Sequence, residues 1–236
     1  MYNLLMGNCL ELMNDIPDKS IDMILCDLPY GITAPEWDSV LDMNILWKHY
    51  ERIRKNNCPV VLFSSQPFTT KLINSNMNNF KYCWYWEKNQ GTNFFHARRM
   101  PIRKIEEICI FYNGKYNPQM SEGHIPTNSS VGSSNGKTYH GSNKRNYKGG
   151  STIRYPTNIL KYKSVNNYER FHSAEKPVDL LEYLIRTYTN ESELILDNCM
   201  GSGSTGIAAG NTGRNFIGME MNENYYNMAE KRLSGV

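Results

Sequence analysis

The chain has 236 residues, 40% hydrophobic and 21% charged, with a net charge of +3. That length suits one substantial α/β domain with room for an insertion and excludes two large independent domains. No stretch approaches the ~18 apolar residues of a membrane span, and the N-terminus MYNLLMGNCLELMND lacks the basic lead and apolar run of a secretory signal, so a cytoplasmic protein is expected.

Three blocks follow in chain order. Residues 1–115 alternate strand-like runs (SIDMILCDLPY, PVVLFSSQPF, YCWYW, EEICIFY) with helix-like ones (LDMNILWKHYERIRK, FTTKLINSN). This predicts an α/β fold, a mostly parallel sheet with helices on both faces. The aromatic side chains of YCWYW and FFHARR read as core. Residues 116–168 are rich in Ser, Gly, Asn, Tyr and Lys without apolar period, which predicts a loop-dominated insert. Residues 169–236 return to helix (KPVDLLEYLIRTYT), strand (ELILDNC), glycine turn, helix (STGIAAGNT), strand (RNFIGMEM) and a final helix (ENYYNMAEKRL).

The charge is segregated. From Lys88 to Lys163 thirteen Lys or Arg stand against three acids, Glu106, Glu107 and Glu122, a balance of +10 that leaves −7 for the rest. A basic segment on an acidic scaffold is the footprint of a protein that holds a phosphate backbone. Arg98, Arg99, Arg103 and Lys104, with Lys144, Arg145 and Lys148 in the insert, are the candidate phosphate contacts. The six cysteines, Cys9, Cys26, Cys58, Cys83, Cys109 and Cys199, never fall within ten residues of one another, which excludes a zinc knuckle or a CxxC redox pair. They read as reduced, mostly buried fillers, and no metal is expected.

In the third block the run Leu194-Ile195-Leu196 ends at Asp197, and Gly201-Ser202-Gly203-Ser204-Thr205-Gly206 then opens a helix. Glycines let the backbone turn tightly beside a ligand, and a helix N-terminus offers free N–H donors. Glu220 ends the next strand, seventeen residues after Gly203, where an acid can accept from both hydroxyls of a ribose. A nucleoside cofactor fits. Between NAD and S-adenosylmethionine, position decides: sixteen residues follow Glu220, so the missing strands must come from the N-terminal block, with Tyr2 to Met6 lying next to the Glu220 strand. A sheet so permuted resembles the amino-methyltransferases of the beta group.

Asp27-Leu28-Pro29-Tyr30-Gly31 lies at the carboxyl end of the strand Ile21 to Cys26, where open α/β sheets place ligands. Alone, the tetrapeptide reads as a turn, but its residue types suit one chemistry. The exocyclic amine of a nucleobase is a weak nucleophile because its lone pair is delocalised into the ring, and gripping both amino hydrogens localises it. The Asp27 carboxylate offers one acceptor and the Leu28 carbonyl another; Pro29 stiffens the turn, and Tyr30 can stack on a base rotated out of a duplex.

With these residues the sequence resembles the beta-group DNA adenine N6-methyltransferases, of the short phage and prophage type. The motifs are Gly7-Asn8-Cys9-Leu10-Glu11, Asp27 to Gly31 with Trp37-Asp38, Leu62 to Phe68, Trp86-Glu87-Lys88, His172 to Pro177, Asp197 to Thr205, and Phe216 to Asn222. The resemblance implies a circularly permuted Rossmann-like methyltransferase fold, with a catalytic half at 1–115, a target-recognition insert at 116–168 and a cofactor half at 169–236. It implies S-adenosylmethionine as cofactor and methyl transfer to adenine N6 in double-stranded DNA by base flipping. A homodimer and a companion restriction nuclease are compatible with it. Asp27, Leu28, Pro29 and Tyr30 would carry catalysis. Asp197, Met200, Gly201 and Gly203 would shape the cofactor pocket. Ser204 or Thr205, with Lys176 and His172, would hold the methionine end. Glu220, flanked by Met221 and Asn222, would hold the ribose, and Asn8 and Cys9 would meet the adenine. The chain departs from the pattern at Asn8, where the family carries an acid, and at Leu28, where proline is common. Cytosine N4 is an alternative target, although such members usually carry serine in place of Asp27. A catalytically weak cofactor- and DNA-binding protein is kept open by Asn8.

Overall fold

A computed structural model of the chain describes residues 1–31, 41–133, 144–165 and 175–235. The motif residues Trp37, Asp38, His172, Ser173 and Ala174 lie outside the described residues. Two compact units are present, one formed by Met1–Asn117 with Asn158–Val236 and the other by Pro118–Thr157.

The larger unit is built from runs of apolar residues long enough for strands and flanked by amphipathic helices. Its strands are β1 (Tyr2–Met6), β2 (Met23–Asp27), β3 (Val60–Ser64), β4 (Phe80–Thr92) and β5 (Arg103–Phe111) in the first block. In the smaller unit lie β6 (Ser130–Ser133) and β7 (Lys144–Tyr147), and the larger unit resumes with β8 (Ile159–Lys161), β9 (Leu194–Asp197) and β10 (Asn215–Glu220). Its helices are α1 (Cys9–Leu12), α2 (Met43–Ile53), α3 (Phe68–Ser75), α4 (Val178–Tyr188), α5 (Ser204–Asn211) and α6 (Glu223–Leu233).

One eight-stranded sheet runs β1-β10-β9-β2-β3-β5-β4-β8. The neighbours from β1 to β3 are parallel, β3-β5 and β5-β4 are antiparallel, and β4-β8 is parallel, so the sheet is mixed. The strand β1 lies beside β10, pairing Tyr2 with Phe216 through Met6 with Glu220. Side chains alternate across a strand, and both faces here are apolar. Ile24, Cys26, Val60 and Leu62 join one cluster with Leu46, Trp47, Tyr50 and Ile53, the inward stripe of α2. Met23, Leu25, Val61 and Phe63 join the other with Leu180, Leu184 and Ile185 of α4 and Ala208 and Ala229 of α5 and α6. Helices therefore cover both faces. The helix α2 starts where Asp42 accepts from the N–H groups of Asn44 and Ile45, the side-chain cap its sequence offers.

The expected fate of the aromatic residues divides. Trp84 and Trp86 are 3% and 2% exposed, as core residues should be. Tyr82 and Tyr85 of the same strand are exposed, so the reading of YCWYW as core holds for its tryptophans and is corrected for those tyrosines. Phe94 and Phe95 are 75% and 101% exposed, so the reading of FFHARR as core is corrected. They sit in a short 3-10 turn at the tip of the β4-β5 hairpin, beyond the reach of the helices that cover the sheet. All six cysteines are free thiols, four of them buried.

The smaller unit pairs β6 with β7 antiparallel, and Ser121 bridges Arg154. The Arg154 guanidinium donates to the carbonyls of Ser151 and Ile125 at 2.8 and 2.5 Å, tying its two ends together. Most of its other described residues are loop, and the expected loop-dominated stretch 116–168 is wider than this unit, since β8 within it joins the main sheet. Among the described residues no helix is long and apolar enough to cross a membrane, and no cluster of His, Cys, Asp or Glu is arranged to hold a metal ion.

Candidate active site

Because β1, β10, β9 and β2 are parallel, their carboxyl ends fall along one edge of the sheet. That edge carries Gly7 after β1, Glu220 ending β10, Asp197 ending β9 and Asp27 ending β2. A cavity of about 390 Å³ opens there, within the usual range for a small-molecule site. Asn8, Cys9, Asp27, Leu28, Pro29, Tyr30, Lys176, Asp197, Met200, Gly201, Ser204, Thr205, Glu220 and Met221 all line it. Residues scattered over the whole chain are thus brought together.

The loop after β9 is held to the sheet by Met200 N–H donating to the Met219 carbonyl at 2.9 Å. Asp197 accepts from Cys199 N–H at 3.1 Å. Burial raises the Asp197 carboxyl to about 6, against the opposing pull of its Thr205 and Cys199 hydrogen bonds. Gly201 and Gly203 have φ of 52° and 82°, left-handed values that side chains strain to adopt. A Cβ on Gly203 would also stand 3.0 Å from the Ala229 Cβ, so this residue stands against α6 instead of lining the cavity. The Glu220 carboxylate accepts from Gly201 N–H at 3.0 Å and Asn222 N–H at 2.8 Å. Burial raises its pKa despite those bonds. Asn222 does not line the cavity either: its side chain caps α6 by accepting from Asn224 and Tyr225. Asn8 caps α1 by accepting from Leu10 N–H at 3.0 Å while still facing the cavity.

A buried strut supports the loop from behind. Tyr50 of α2 donates to Asn198 Oδ1 at 2.6 Å, and the Asn198 amide reaches the sulfurs of Cys9 and Cys199 at 3.6 and 3.5 Å. Tyr50→Phe should cost about 1–3 kcal/mol in urea unfolding, because it leaves the Asn198 carbonyl buried without its donor. A change below about 0.5 kcal/mol would show the strut to be idle.

At the other end of the cavity lies a chain of charges. Tyr30 OH donates to Asp27 Oδ1 at 2.6 Å, and its ring stacks on Phe68 with centroids 5.0 Å apart. Lys176 Nζ ion-pairs with the second Asp27 oxygen and with Glu106 at 3.0 Å. Glu106 also pairs with Lys88 at 2.5 Å. Burial lifts the Asp27 carboxyl above its ordinary range, only partly offset by Lys176. Burial opposes the charge on Glu106 too, but Lys176 and Lys88 together hold it below the ordinary range. Burial works to lower Lys176, yet the two carboxylates raise it, so it stays a cation.

Four partners were not foreseen. Glu106 shares the face of β5 with the buried Ile108 and Ile110, a period of two that would have singled it out from Glu107. Lys88 was noted only as part of a motif. Glu175 accepts from Ser204 Oγ and from Arg232, both at 2.9 Å, so Ser204 is already engaged by a carboxylate. Of the basic candidates, Arg98, Arg99 and Lys148 are exposed, Arg103 lines the cavity and donates to Ser65 Oγ at 2.8 Å, and Lys104 pairs with Glu87 at 2.9 Å. His172 and the side chains of Lys144 and Arg145 lie outside those described.

Residues 21–231 match the N6/N4 methyltransferase family, described as DNA methylase. The chain belongs to the N6/N4 DNA methylase family. Among characterised proteins, this methylase is 26% identical over 250 residues to the type II methyltransferase M1.MboII of Moraxella bovis, covering 94% of this chain and 92% of that one. It is 27% identical to M2.MboI of the same organism, covering 98% and 87%. Its fold is similar to the solved M1.HpyAVI–SAM complex, with a TM-score of 0.66 at 24% identity over 99% of this chain and all of that one. It is also similar to the cytosine-N4-specific PvuII DNA methyltransferase, with a TM-score of 0.68 at 17% identity over 98% and 87%. The methylase takes S-adenosylmethionine as its cofactor, as expected from the sequence. The residues along the sheet edge fit such a group: Glu220 keeps lone pairs beyond its two backbone bonds, and the glycine loop leads into the amide-rich start of α5.

Proposed function

We propose that the methylase transfers its methyl group to the exocyclic N6 of adenine in double-stranded DNA, with the target base rotated out of the helix. The observation that carries this reading is the pair Asp27 and Tyr30 at the cavity wall, joined by a 2.6 Å hydrogen bond and backed by Phe68. Asp27 has a carboxylate where cytosine-N4 relatives usually carry a hydroxyl. One carboxylate oxygen and the Leu28 carbonyl accept the two amino hydrogens, and Tyr30 offers its ring to the base. Bound S-adenosylmethionine supplies the methyl as an electrophile. In this reading Glu220 takes the ribose hydroxyls, Asn8 the adenine, and Lys176 with Ser204 or Thr205 the methionine end. The pairing of β1 with β10 supports a circularly permuted sheet of the beta group. The unit Pro118–Thr157, inside the basic loop-rich stretch, is the proposed target-recognition element.

The test is to incubate the protein with labelled cofactor and unmodified double-stranded DNA, digest to nucleosides, and sequence the marks. Label in N6-methyladenine is expected; label in N4-methylcytosine, or none, overturns the proposal. A pH profile gives a second check. Burial raises Asp27 above its ordinary 3.8, so as pH falls it gains a proton earlier than an exposed carboxylate and stops accepting from the amine. The acid limb of kcat should therefore have its midpoint above 3.8, and a rate that stays flat down to about pH 4 would contradict the role.

A further inference from the structure

The two phenylalanines that sequence reasoning assigned to the core are held out in solvent by a built turn. Asn93 adopts a left-handed conformation with φ of 71°, and the 3-10 turn Phe94–His96 follows it. His96 N–H donates to the Asn93 carbonyl at 3.1 Å, and the N–H groups of Arg99 and Met100 donate to the His96 carbonyl at 2.8 and 3.0 Å. The arms are closed below this turn, where Thr92 pairs with Arg103 and its hydroxyl reaches the Arg103 carbonyl at 3.3 Å. A backbone so bonded presents its aromatic rings outward by construction.

Two further facts say what those rings meet. From Lys88 to Lys104 the chain carries five Lys or Arg and no Asp or Glu. Lys88 and Lys104 are paired with Glu106 and Glu87, but Arg98 and Arg99 stand exposed beside the rings, and exposed aromatics next to such cations suit a polyanion with stackable faces better than an apolar partner. Second, Thr92, Arg103 and Ile105, at the root of the same hairpin, line the cavity that holds Asp27 and Tyr30. Phe95 is three residues past Thr92, so it lies within ~10 Å of chain from the cavity wall. A base leaving a duplex for that cavity leaves a gap in the stack, and an apolar wedge from the enzyme can fill one.

We propose that the β4-β5 hairpin tip is a DNA wedge: Phe95, backed by Phe94, fills the space vacated by the flipped base while Arg98 and Arg99 hold the flanking phosphates. This rests on the base-flipping reading above and adds to it the element that keeps the helix open. A mere backbone contact would be served by the arginines without the rings.

The test uses the full chain and short duplexes carrying the site found by sequencing the marks. In one duplex the target base is paired; in the other it faces an abasic position, so that no partner base is left to reclaim it. For the double variant F94A/F95A, methylation of the paired duplex should fall about ten- to a hundred-fold, the range of one lost stacking contact. Activity on the abasic duplex should return to within a few-fold of wild type. Phe95→Trp, which keeps a large ring, should retain activity on both. R98A/R99A should raise KM on both duplexes alike and flatten the salt dependence of binding. Equal loss of F94A/F95A activity on the two duplexes, or none on either, overturns the wedge. A change of oligomeric state in F94A/F95A together with equal loss would assign the rings to a second copy and overturn it as well. A wild-type mark on cytosine leaves the wedge comparison intact and removes only the adenine assignment. A wild-type enzyme that leaves no mark on DNA in the sequencing step removes the base-flipping reading and the wedge with it.

Discussion

Replacing Asp27 by alanine is expected to lower kcat for methyl transfer by about 10²- to 10³-fold, the range seen when one preorganised hydrogen-bonding group is removed from an active site. In the proposed mechanism the carboxylate is half of the device that grips the amino hydrogens, and the neighbouring carboxylate, Glu106, is held by Lys176 and Lys88. The Leu28 carbonyl remains, so the amine is held by one hydrogen and its lone pair returns to the ring. Folding should survive, because Lys176 keeps Glu106 at 3.0 Å when Asp27 is gone. Cofactor binding should weaken less than kcat. Trp86 lines the cavity and gives an intrinsic fluorescence signal for titrating it. Retention of full activity by D27A would sink the proposed mechanism.

Glu106→Gln is expected to destabilise the fold by about 3 kcal/mol in urea denaturation, at the low end of the ~3–5 kcal/mol range for breaking a buried ion pair from one side. Glu106, Lys88 and Lys176 have side chains 8%, 16% and 10% exposed, so water does little to screen the charges left behind. Lys176 retains Asp27, and Lys88 retains the Trp86 ring at 4.8 Å, which places the effect at the low end. The two lysines hold the Glu106 carboxyl below its ordinary range. Its contribution is therefore fully present above the ordinary value of 4.5 and is lost only as pH falls through the lowered folded value. The gap between wild type and E106Q should persist at neutral pH and close in strong acid. Glu107→Gln, one residue along and facing the other way, should cost less than about 1 kcal/mol, since its side chain is half-buried and accepts a 3.4 Å bond from Thr69. Equal effects at the two positions would show that the ion-pair chain is not what matters.

The features legible in the sequence were those whose physics is local. Apolar period revealed β2, β3, β9 and β10 and the helices between them, because a strand or helix buries a pattern that a short window contains. The cofactor loop was legible because glycines, Asp197 and Glu220 are needed within one strand-loop-helix-strand unit. Placing Tyr2 to Met6 beside Glu220 required only counting strands. Partnerships across the fold were not legible. Lys176 was read as a ligand for the methionine end, while its partners Asp27 and Glu106 come from strands set by tertiary pairing; Asp27 is 149 residues away. Glu175 and Arg232 were invisible for the same reason, being 57 residues apart. Phe94 and Phe95 were misread because residue type predicts burial only where a core is within reach, and a hairpin tip has none. The antiparallel β5 between β3 and β4 was likewise not foreseen, as its placement follows from a hairpin whose long turn carries no two-residue turn signature.

The seam between β1 and β10 has a consequence for how the molecule is made. The N-terminal amine bonds Asn215 across 214 residues, and Gly7 N–H donates to the Glu220 carbonyl at 2.9 Å. Closing a loop of that length costs roughly 5 kcal/mol of chain entropy, offset only once the neighbouring strands are in place. A growing polypeptide can assemble β2, β3 and the hairpin while β1, whose one strand partner among the described residues is β10, stays outside the sheet. The proposed cofactor floor, whose carboxylate is Glu220, is completed only when residues 215–220 emerge and zip against Tyr2–Met6. Competence to bind the cofactor should therefore arrive abruptly, once β10 has paired with β1 and after β2 and β3 can already be joined.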